Sequence, residues 1–472
     1  MEMKKDFKII KAAIGINEVG SQVAHVSVPT RVVTKERGKI KVVGQPWVVT
    51  SKKDYWPMSQ EEQEKRGIYA QSLPKFGLVE SRWYELDIRR YLEWKNHILD
   101  PKKQLFDLIK KTLEEHIDFY RDGYVEVVTC WVIGSFLFPA FSAYPYLFLT
   151  GPRGSGKTKL LDVIGYMAFN AESTSSVTPA SVFRIVEANQ ATLLIDEAEM
   201  LKGGKDNLEL KLILNAGYKP GKPVTRTNTD TMEVERFLVY SPKAIASINQ
   251  IDSTLKSRGI EVNMIKTSSK SKGNRRVTDR SGDWWKIRDA LYRYLLDYVF
   301  DVQKIYEESE EVNKLQCRKN ELWSPLLAIA LHIDKGVFDV VAKAAVGDSK
   351  GEESTIDDWH ASLLKGLKDV VTVHKDYVLS DLRDAMLRYL EIDEKDNVSS
   401  RWVGSALVRF GFSRGSRQST GMTYSIDPEK VNDLLVRYQL VESEDSVGSV
   451  DKSGGVNDLV TTVEEIFGSK AY

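Results

Sequence analysis

The stretch that most constrains this chain is YLFLTGPRGSGKT, residues 146–158. The run from Tyr146 to Thr150 predicts a buried strand, and Gly151 follows it directly. After four intervening residues come Gly156, Lys157 and Thr158, which complete the pattern of a phosphate-binding P-loop. The chain is therefore expected to contain a strand, a glycine-rich loop and a helix arranged around the phosphates of a nucleotide.

The residue types of this loop fit the binding of ATP and Mg²⁺. Glycines let successive backbone N–H groups turn toward an anion, and KLLDVIGYMAF predicts a helix whose positive N-terminus faces the phosphates. Lys157 would reach the β- and γ-phosphates, and the Thr158 hydroxyl would bind Mg²⁺. The predicted nucleotide-binding residues are Gly151, Pro152, Arg153, Gly154, Ser155, Gly156, Lys157 and Thr158.

A second stretch, ATLLIDEAE at 191–199, predicts an apolar strand that ends in two adjacent carboxylates. Asp196 is suited to holding the metal, and Glu197 to polarising the attacking water. The alternative is that both carboxylates are simply solvated. About 40 residues after a P-loop, the pair favours an ATPase that hydrolyses its nucleotide.

Composition bounds the class of protein. The chain has 472 residues, enough for two to four domains, and its 67 basic residues balance its 67 acidic ones. No global basic field indicates a nucleic-acid partner, so any such binding must come from local patches. The two cysteines, Cys130 and Cys317, provide neither a disulfide framework nor a zinc site, which favours a reduced, cytoplasmic protein.

We expect no membrane segment. The N-terminus, MEMKKDFKII, lacks the apolar core of a signal peptide. The longest apolar run is interrupted by Pro139 and Pro145 and leads into the P-loop strand. A core helix followed by a core strand explains this run better than a membrane span does.

The chain divides into regions of different pattern. Residues 1–95 are rich in β-branched runs and predict a β-rich N-terminal domain. Residues 96–124 predict a helical linker with Leu105, Leu108, Ile109, Leu113 and Ile117 on one face. Residues 125–345 carry the P-loop core and a helical lid, so the predicted fold class is α/β with a parallel sheet between helices.

Residues 218–240, YKPGKPVTRTNTDTMEVERFLVY, predict a protruding hairpin with Lys219, Lys222 and Arg226 near its cationic side. In a ring of subunits, such a loop would project into the pore and hold the phosphates of a DNA strand. A solvent-exposed loop with scattered charges is the alternative.

Three further polar residues are candidates for the chemistry. KAIASIN predicts a strand ending at Asn249, which would orient the water, although a plain strand-end turn also explains it. Arg258 would neutralise charge on the transferred phosphoryl group, from a neighbouring subunit in a ring ATPase, unless it pairs with a local carboxylate. Arg288, on a predicted long helix, is a weaker candidate for reaching the nucleotide from a lid.

The series TLLIDEAE, LILNAGYKPG, YSPKAIASI, LKSRGIEV and RKNELWSPLLAIA resembles the AAA+ domain of primase-helicase proteins from plasmids, phages and integrative elements. LKSRGIEV is also similar to the arginine-finger segment of minichromosome-maintenance (MCM) helicases. The resemblance covers residues 125–345 and implies a ring-forming, DNA-dependent ATPase. The zinc-bearing primase module that usually accompanies this family is absent, because two cysteines cannot build it.

Residues 356–440 predict a winged helix-turn-helix: three helices, a Gly/Ser/Arg hairpin and a final helix. Ser380, and either Ser399 or Ser400, are expected to cap the second and third helices. The residues expected to face DNA are Arg401, Ser405, Arg409, Arg414 and Arg417. Winged helices also dock proteins, which stays open here, and residues 441–472 predict an acidic tail.

These features predict a hexameric AAA+ ATPase of a mobile element that unwinds or translocates on DNA during replication. An initiator or loader that remodels origin DNA without processive unwinding is one alternative. A DNA-binding regulator whose oligomeric state is set by ATP is another, but the intact Glu197 argues against it.

Overall fold

A computed structural model of the chain describes residues 7–11, 13–36, 39–71, 82–93, 102–119, 121–174, 179–196, 205–227, 232–247, 253–279, 282–351, 358–390, 398–418, 421–437 and 440. Among these residues, those up to Ala345 form one compact unit and those from Val346 onward form a second. The predicted tail at 441–472 lies outside the described residues.

The first unit begins with two small sheets. Four strands form an antiparallel sheet in the order β2-β3-β4-β5, while β1 and β6 pair in parallel. The elements are β1 (Lys8–Ile10), β2 (Ile14–Ile16), β3 (Ala24–Glu36), β4 (Lys39–Thr50), β5 (Tyr55–Pro57), α1 (Gln60–Arg66) and β6 (Ile68–Ala70). Six of these seven elements are strands, and a separate N-terminal domain stays a prediction.

Local sequence explains where α1 begins and ends. The Ser59 hydroxyl accepts a hydrogen bond from the Glu62 backbone N–H at 3.3 Å, and Gly67 ends the helix with a φ of 64°. A serine N-cap and a left-handed glycine satisfy backbone groups that a short helix leaves unpaired.

This β-rich region is joined to the rest of the first unit by buried contacts. The Gln190 side-chain oxygen accepts hydrogen bonds from the backbone N–H groups of Ala13 at 3.2 Å and Ile14 at 2.9 Å. Trp83, just before α2 (Glu85–Leu92), stacks on Tyr292 with ring centroids 4.8 Å apart. The contact pattern therefore groups residues 7–93 with the core.

Two helices precede the phosphate loop. In α3 (Lys103–His116) and just after it, Leu105, Ile109, Leu113 and Ile117 are buried as their spacing predicts, and Leu108 is half-buried. The next helix, α4 (Tyr124–Leu137), is buried on nearly all sides and is followed by a 3₁₀ turn, Phe138–Ala140. Among the described helices, none combines the length and the apolarity needed to cross a bilayer.

The centre of the first unit is a five-stranded parallel sheet in the order β13-β7-β12-β9-β8. Its strands β7, β9 and β12 are short apolar runs buried on both faces, as expected for a parallel sheet between helices. The elements are β7 (Tyr146–Thr150), α5 (Lys157–Met167), β8 (Glu172–Thr174), α6 (Pro179–Asn189), β9 (Leu193–Ile195), α7 (Lys205–Ala216), β10 (Val224–Thr227), β11 (Val234–Phe237), β12 (Lys243–Ser247), α8 (Ser253–Lys256) and β13 (Gly259–Asn263). The α/β core is thus present, with all carboxyl strand ends at one edge.

Four helices follow the sheet: α9 (Lys270–Asn274), α10 (Trp284–Glu308), α11 (Cys317–Ile333) and α12 (Lys335–Gly351). The aromatic face predicted for α10 is core, since Trp284, Tyr292 and Tyr294 are buried. Beside them, the Arg293 guanidinium pairs with Asp289 at 3.0 Å, and both side chains are buried.

The second unit contains α13 (Asp358–Val370), β14 (Lys375–Val378), α14 (Leu379–Leu387), α15 (Ser400–Arg409), β15 (Ser413–Gln418), β16 (Gly421–Ile426) and α16 (Pro428–Arg437). The three strands form an antiparallel sheet in the order β14-β16-β15. The Ser399 cap is present, because its hydroxyl accepts from the Trp402 backbone N–H at 3.2 Å. The prediction that Ser380 caps α14 is wrong, because the helix begins at Leu379 and Ser380 lies inside its first turn. The Ser380 hydroxyl donates to the neighbouring Asp381 carboxylate at 3.2 Å.

Candidate nucleotide-binding and hydrolysis site

The loop between β7 and α5 has the backbone of a phosphate cradle. Gly151, Gly154 and Gly156 have φ angles of 143°, 77° and 93°, a region that favours glycine. A Cβ on Gly151 would lie 2.1 Å from the carbonyl oxygen of Met264, so this position also has no room for a side chain. Gly156 is the N-cap of α5, which directs the positive end of the helix at the loop.

Lys157, the first residue of α5, is folded over this loop. Its ammonium donates hydrogen bonds to the carbonyl oxygens of Gly151 at 2.7 Å and Pro152 at 2.9 Å. Ser155 is buried beside it, and within the described residues its hydroxyl has no hydrogen-bond partner. The loop thus places the Lys157 ammonium and the buried Ser155 hydroxyl where an anion is expected.

Thr158 and Asp196 meet at the carboxyl edge of the sheet. The Thr158 hydroxyl donates to the Asp196 carboxylate at 2.7 Å, although 38 residues separate them in sequence. Sequence reasoning overlooked Asp162, one turn further along α5. Partial desolvation and the charge of Asp196 raise the pKa of the Asp162 carboxyl. The sequence could have indicated Asp162, because it lies four residues after Thr158 and therefore on the same face of the helix.

These oxygens fit Mg²⁺. In the part of the chain that the structure describes, no group of three or more His, Cys, Asp or Glu side chains could hold a metal ion by itself. Mg²⁺ is commonly held by one or two carboxylates together with phosphate oxygens and water. The Thr158 hydroxyl and the Asp196 carboxylate would supply the protein's share of such a site.

Two predicted catalytic residues, Glu197 and Asn249, lie outside the described residues, and their roles stay predictions. Each follows a strand of the central sheet closely. Glu197 comes directly after Asp196, and Asn249 comes two residues after Ser247, the last residue of β12. Ser247 is paired in register with Thr150, so β12 ends at the same edge as the P-loop.

Arg258 lies at the opposite edge of the sheet. Its carbonyl oxygen accepts a hydrogen bond from the Tyr146 N–H at 3.1 Å, at the start of β7. Its guanidinium donates to the carbonyl of Asn215 at 3.2 Å, donates to the carbonyl of Thr254, and lies 5.5 Å from the Tyr218 ring centre. At about 3.3 Å per residue, β7 separates Arg258 from the P-loop of its own chain by roughly 13 Å.

Arg288 lies at the wrong end of α5 to contact phosphates. It donates to the Tyr166 carbonyl oxygen at 2.8 Å, in the last turn of that helix. Arg82 donates to the carbonyl of Gly165 at 3.0 Å in the same turn, and to that of Ala171 at 2.7 Å. Two cations at a helix C-terminus stabilise the helix dipole, so the described Arg288 supports α5 instead of contacting nucleotide from a lid.

The predicted hairpin is present as β10 and β11, with residues 228–231 outside the described part. Two of its predicted cations are engaged within the subunit: Lys219 pairs with Glu321, and Arg226 pairs with Glu209. Lys222 is exposed. Partly exposed pairs of this kind contribute little to stability, so a competing phosphate can replace the carboxylate at small cost.

In the second unit, α15 presents a polar face. Arg401 and Ser405 are exposed on it, while a Cβ on Gly404 of the opposite face would lie 2.6 Å from the Tyr424 hydroxyl. On β15, Arg417 is exposed and Arg414 donates to the Tyr424 hydroxyl at 3.2 Å. The Arg409 side chain lies outside the described residues. Arg401, Ser405, Arg414 and Arg417 are thus exposed, and their contact with DNA stays a prediction.

The chain is similar in structure to several solved proteins. A full-length MCM homolog from Methanopyrus kandleri matches with a TM-score of 0.35 and 10% identity, over 69% of this chain and 77% of that one. The apo C-terminal region of NrS-1 matches with a TM-score of 0.34 and 11% identity, over 81% and 94%. The JCV helicase bound to a thiazolopyridine compound matches with a TM-score of 0.25 and 11% identity, over 56% and 65%.

No protein-family model matches the chain, and no curated protein matches it. The structural likenesses are low in both identity and TM-score. A function therefore has to rest on the chain's own residues.

Proposed function

We propose that the chain is an ATP-hydrolysing AAA+ DNA helicase or translocase that works as a hexameric ring in the replication of a mobile element. The observation that carries this proposal is the 2.7 Å hydrogen bond between Thr158 and Asp196 beside the P-loop. It joins the two residues that a P-loop ATPase uses to hold Mg²⁺, one in the first turn of α5 and the other directly after β9.

In this proposal, Lys157 exchanges its two loop carbonyls for the β- and γ-phosphate oxygens when ATP binds. Mg²⁺, held by Thr158 and Asp196, would neutralise charge on the phosphates. Glu197 polarises the attacking water, and Asn249 orients it. Backbone N–H groups of the glycine loop and the N-terminus of α5 hold the remaining phosphate charge.

The position of Arg258 supports the ring. Because β7 separates Arg258 from its own P-loop, a phosphate that it neutralises would belong to another subunit. Each subunit would then lend its guanidinium to the adjacent ATP, and hydrolysis would require assembly. The DNA strand would contact Lys219, Lys222 and Arg226 in the pore, and duplex DNA would contact α15 and the β15–β16 hairpin.

The experiment is an ATPase assay combined with unwinding of forked duplexes that carry either polarity of tail. We expect DNA-stimulated hydrolysis and unwinding with one polarity. Glu197→Gln is the matched control, because it keeps the side-chain shape but should bind ATP and not turn it over. Hydrolysis without unwinding on any fork would remove the helicase assignment, and an unchanged turnover rate in the control would remove Glu197 from its role.

A second candidate is an initiator or loader that remodels origin DNA without processive unwinding. The exposed side chains of Arg401 and Ser405 on α15 and Arg417 on β15 favour it, because they offer a polar surface to duplex DNA. Footprinting separates the two candidates. An initiator should protect one specific duplex sequence, and Arg401→Ala should abolish that protection.

A further inference from the structure

Lys243, the first residue of β12, is a charged side chain with no exposed surface. Its nitrogen donates to the carbonyl oxygens of Gly217 at 3.2 Å, Val239 at 2.9 Å and Ser241 at 3.0 Å, and to the Ser241 hydroxyl at 3.2 Å. Lysine is rarely buried unless its three N–H donors are satisfied. Desolvation lowers the Lys243 pKa to about 7, while the four oxygens around it favour the ammonium form.

The acceptors belong to both ends of one segment. Gly217 follows α7 directly, and Val239 and Ser241 lie between β11 and β12. The β10–β11 hairpin lies between these two ends. A single ammonium therefore binds the chain where it enters the hairpin and where it leaves.

This base is tightly packed. The Gly217 carbonyl also accepts the Ser241 backbone N–H at 3.3 Å. A Cβ on Gly217 would lie 2.6 Å from the Val239 carbonyl oxygen and 2.8 Å from the Lys243 nitrogen. The Lys243 nitrogen also lies 5.1 Å from the ring centre of Tyr146, the first residue of β7. We call this set, Lys243 with Gly217, Val239 and Ser241, the hairpin clasp.

The hairpin clasp lies at the amino end of the short strand β12. β12 is buried along its whole length between β7 and β9, and its last residue, Ser247, pairs with Thr150 just before the P-loop. Four steps of about 3.3 Å from Lys243 to Ser247 place the two ends roughly 13 Å apart. β12 therefore connects the hairpin base to the edge where the nucleotide is expected.

We propose that Lys243 is a positioning residue that ties the base of the β10–β11 hairpin to β12, so that contact of the hairpin with DNA controls ATP turnover. This inference rests on the proposed function. Lys243 touches neither nucleotide nor DNA. It acts by making the hairpin and the central strand move together.

The test compares DNA-stimulated with basal ATPase activity in the full-length protein, using single-stranded oligonucleotide as the probe. Lys243→Met removes the ammonium and keeps the chain length. Gly217→Ala leaves the ammonium but forces the clasp apart, and Ser241→Ala removes one acceptor with little effect on folding. Lys243→Arg retains a cation as the conservative control.

We expect Lys243→Met and Gly217→Ala to keep basal ATPase within about two-fold and to lose at least about ten-fold of the DNA stimulation. Ser241→Ala should lose at least two-fold, and Lys243→Arg should recover part of the loss. A merely structural role would lower basal and stimulated rates together, in step with the melting temperature.

Wild-type stimulation in every folded variant, including Ser241→Ala, overturns the inference alone. A wild-type protein whose ATPase ignores DNA overturns the inference together with the proposed function. The two failures are therefore distinguishable from one set of rate measurements.

Discussion

The carbonyl oxygen of Arg258 accepts a hydrogen bond from the backbone N–H of Tyr146 at 3.1 Å, which fixes Arg258 at the amino end of the strand that leads into the P-loop. The P-loop follows the other end of that strand, after Thr150. Because of this separation, we expect Arg258 to act on the nucleotide of a neighbouring subunit. Mixtures of two inactive variants can test this expectation.

We predict that Arg258→Ala lowers kcat for ATP hydrolysis by about 10³-fold or more, because the transferred phosphoryl group loses a neutralising cation. Mixing inactive Arg258→Ala with inactive Lys157→Ala protein should restore activity, since some interfaces then pair an intact P-loop with an intact arginine. Turnover is measured across mixing ratios. A mixture as inactive as its components, or an active isolated Arg258→Ala subunit, would contradict the ring.

Two glycines of the same loop provide a matched pair. Gly151→Ala should abolish ATP binding and lower the melting temperature, because its Cβ would lie 2.1 Å from the Met264 carbonyl oxygen. Gly154→Ala meets no atom within 4 Å, so only its positive φ is strained, at about 1–2 kcal/mol. Calorimetry and ATP titration check both variants. Equal losses in the two would mean that steric contact with Met264 is not what requires Gly151.

Thr158 and Asp196 should act as one unit toward Mg²⁺. Thr158→Val removes the hydroxyl at constant shape and should raise the Mg²⁺ concentration needed for half-maximal ATPase roughly 10-fold to 100-fold. Asp196→Asn should do the same, and the double variant should be little worse than either. Thr158→Ser, which keeps the hydroxyl, is the control. Fully additive losses would show that the two side chains do not share the metal.

His332 predicts an acid-sensitive fold. Burial, and after it the charge of Lys102, lowers its pKa to about 4, and its Nδ1 lies 2.5 Å from the Tyr294 hydroxyl. Between pH 4 and about 6.5 the unfolded chain binds more protons at this group than the folded chain does. The free energy of unfolding therefore rises with pH across this window. It decreases as the pH falls from 6.5 toward 4.

The measurement is the denaturant midpoint at several pH values for wild type and His332→Asn, which keeps a polar atom near Nδ1. The wild-type loss between pH 6.5 and 4 should exceed that of the variant by roughly 2 kcal/mol. Parallel pH curves would assign the acid sensitivity to other groups.

The parts of the site that sequence predicted are those set by local chemistry. Gly151, Gly154 and Gly156 have the positive φ angles that the P-loop pattern requires, and the β10–β11 hairpin lies where glycine and proline break the helical pattern. The apolar spacing of α3 also matches its buried face. Such features depend on residues close together in the chain, where steric limits and periodicity act directly.

The features of the site that the sequence did not predict depend on contacts between residues far apart in the chain. Arg288 was a candidate for the nucleotide, but the tertiary fold brings it to the Tyr166 carbonyl at the far end of α5. The pairing of Lys219 with Glu321 joins a hairpin base to a helix about 100 residues later. Periodicity carries no information about which charges meet, since that is decided by how helices pack.

The two arginines behind α5 have a mechanical consequence. Arg82 comes from the N-terminal part of the chain and Arg288 from α10, and both donate hydrogen bonds to the last turn of α5, the helix whose first turn is proposed to receive the phosphates. If loss of the terminal phosphate lets that helix recoil along its axis, the recoil pulls on both anchors at once. Loss of the phosphate at the first turn of α5 would thereby be transmitted to Arg82 and Arg288 at its last turn, in two regions that are not expected to contact the nucleotide.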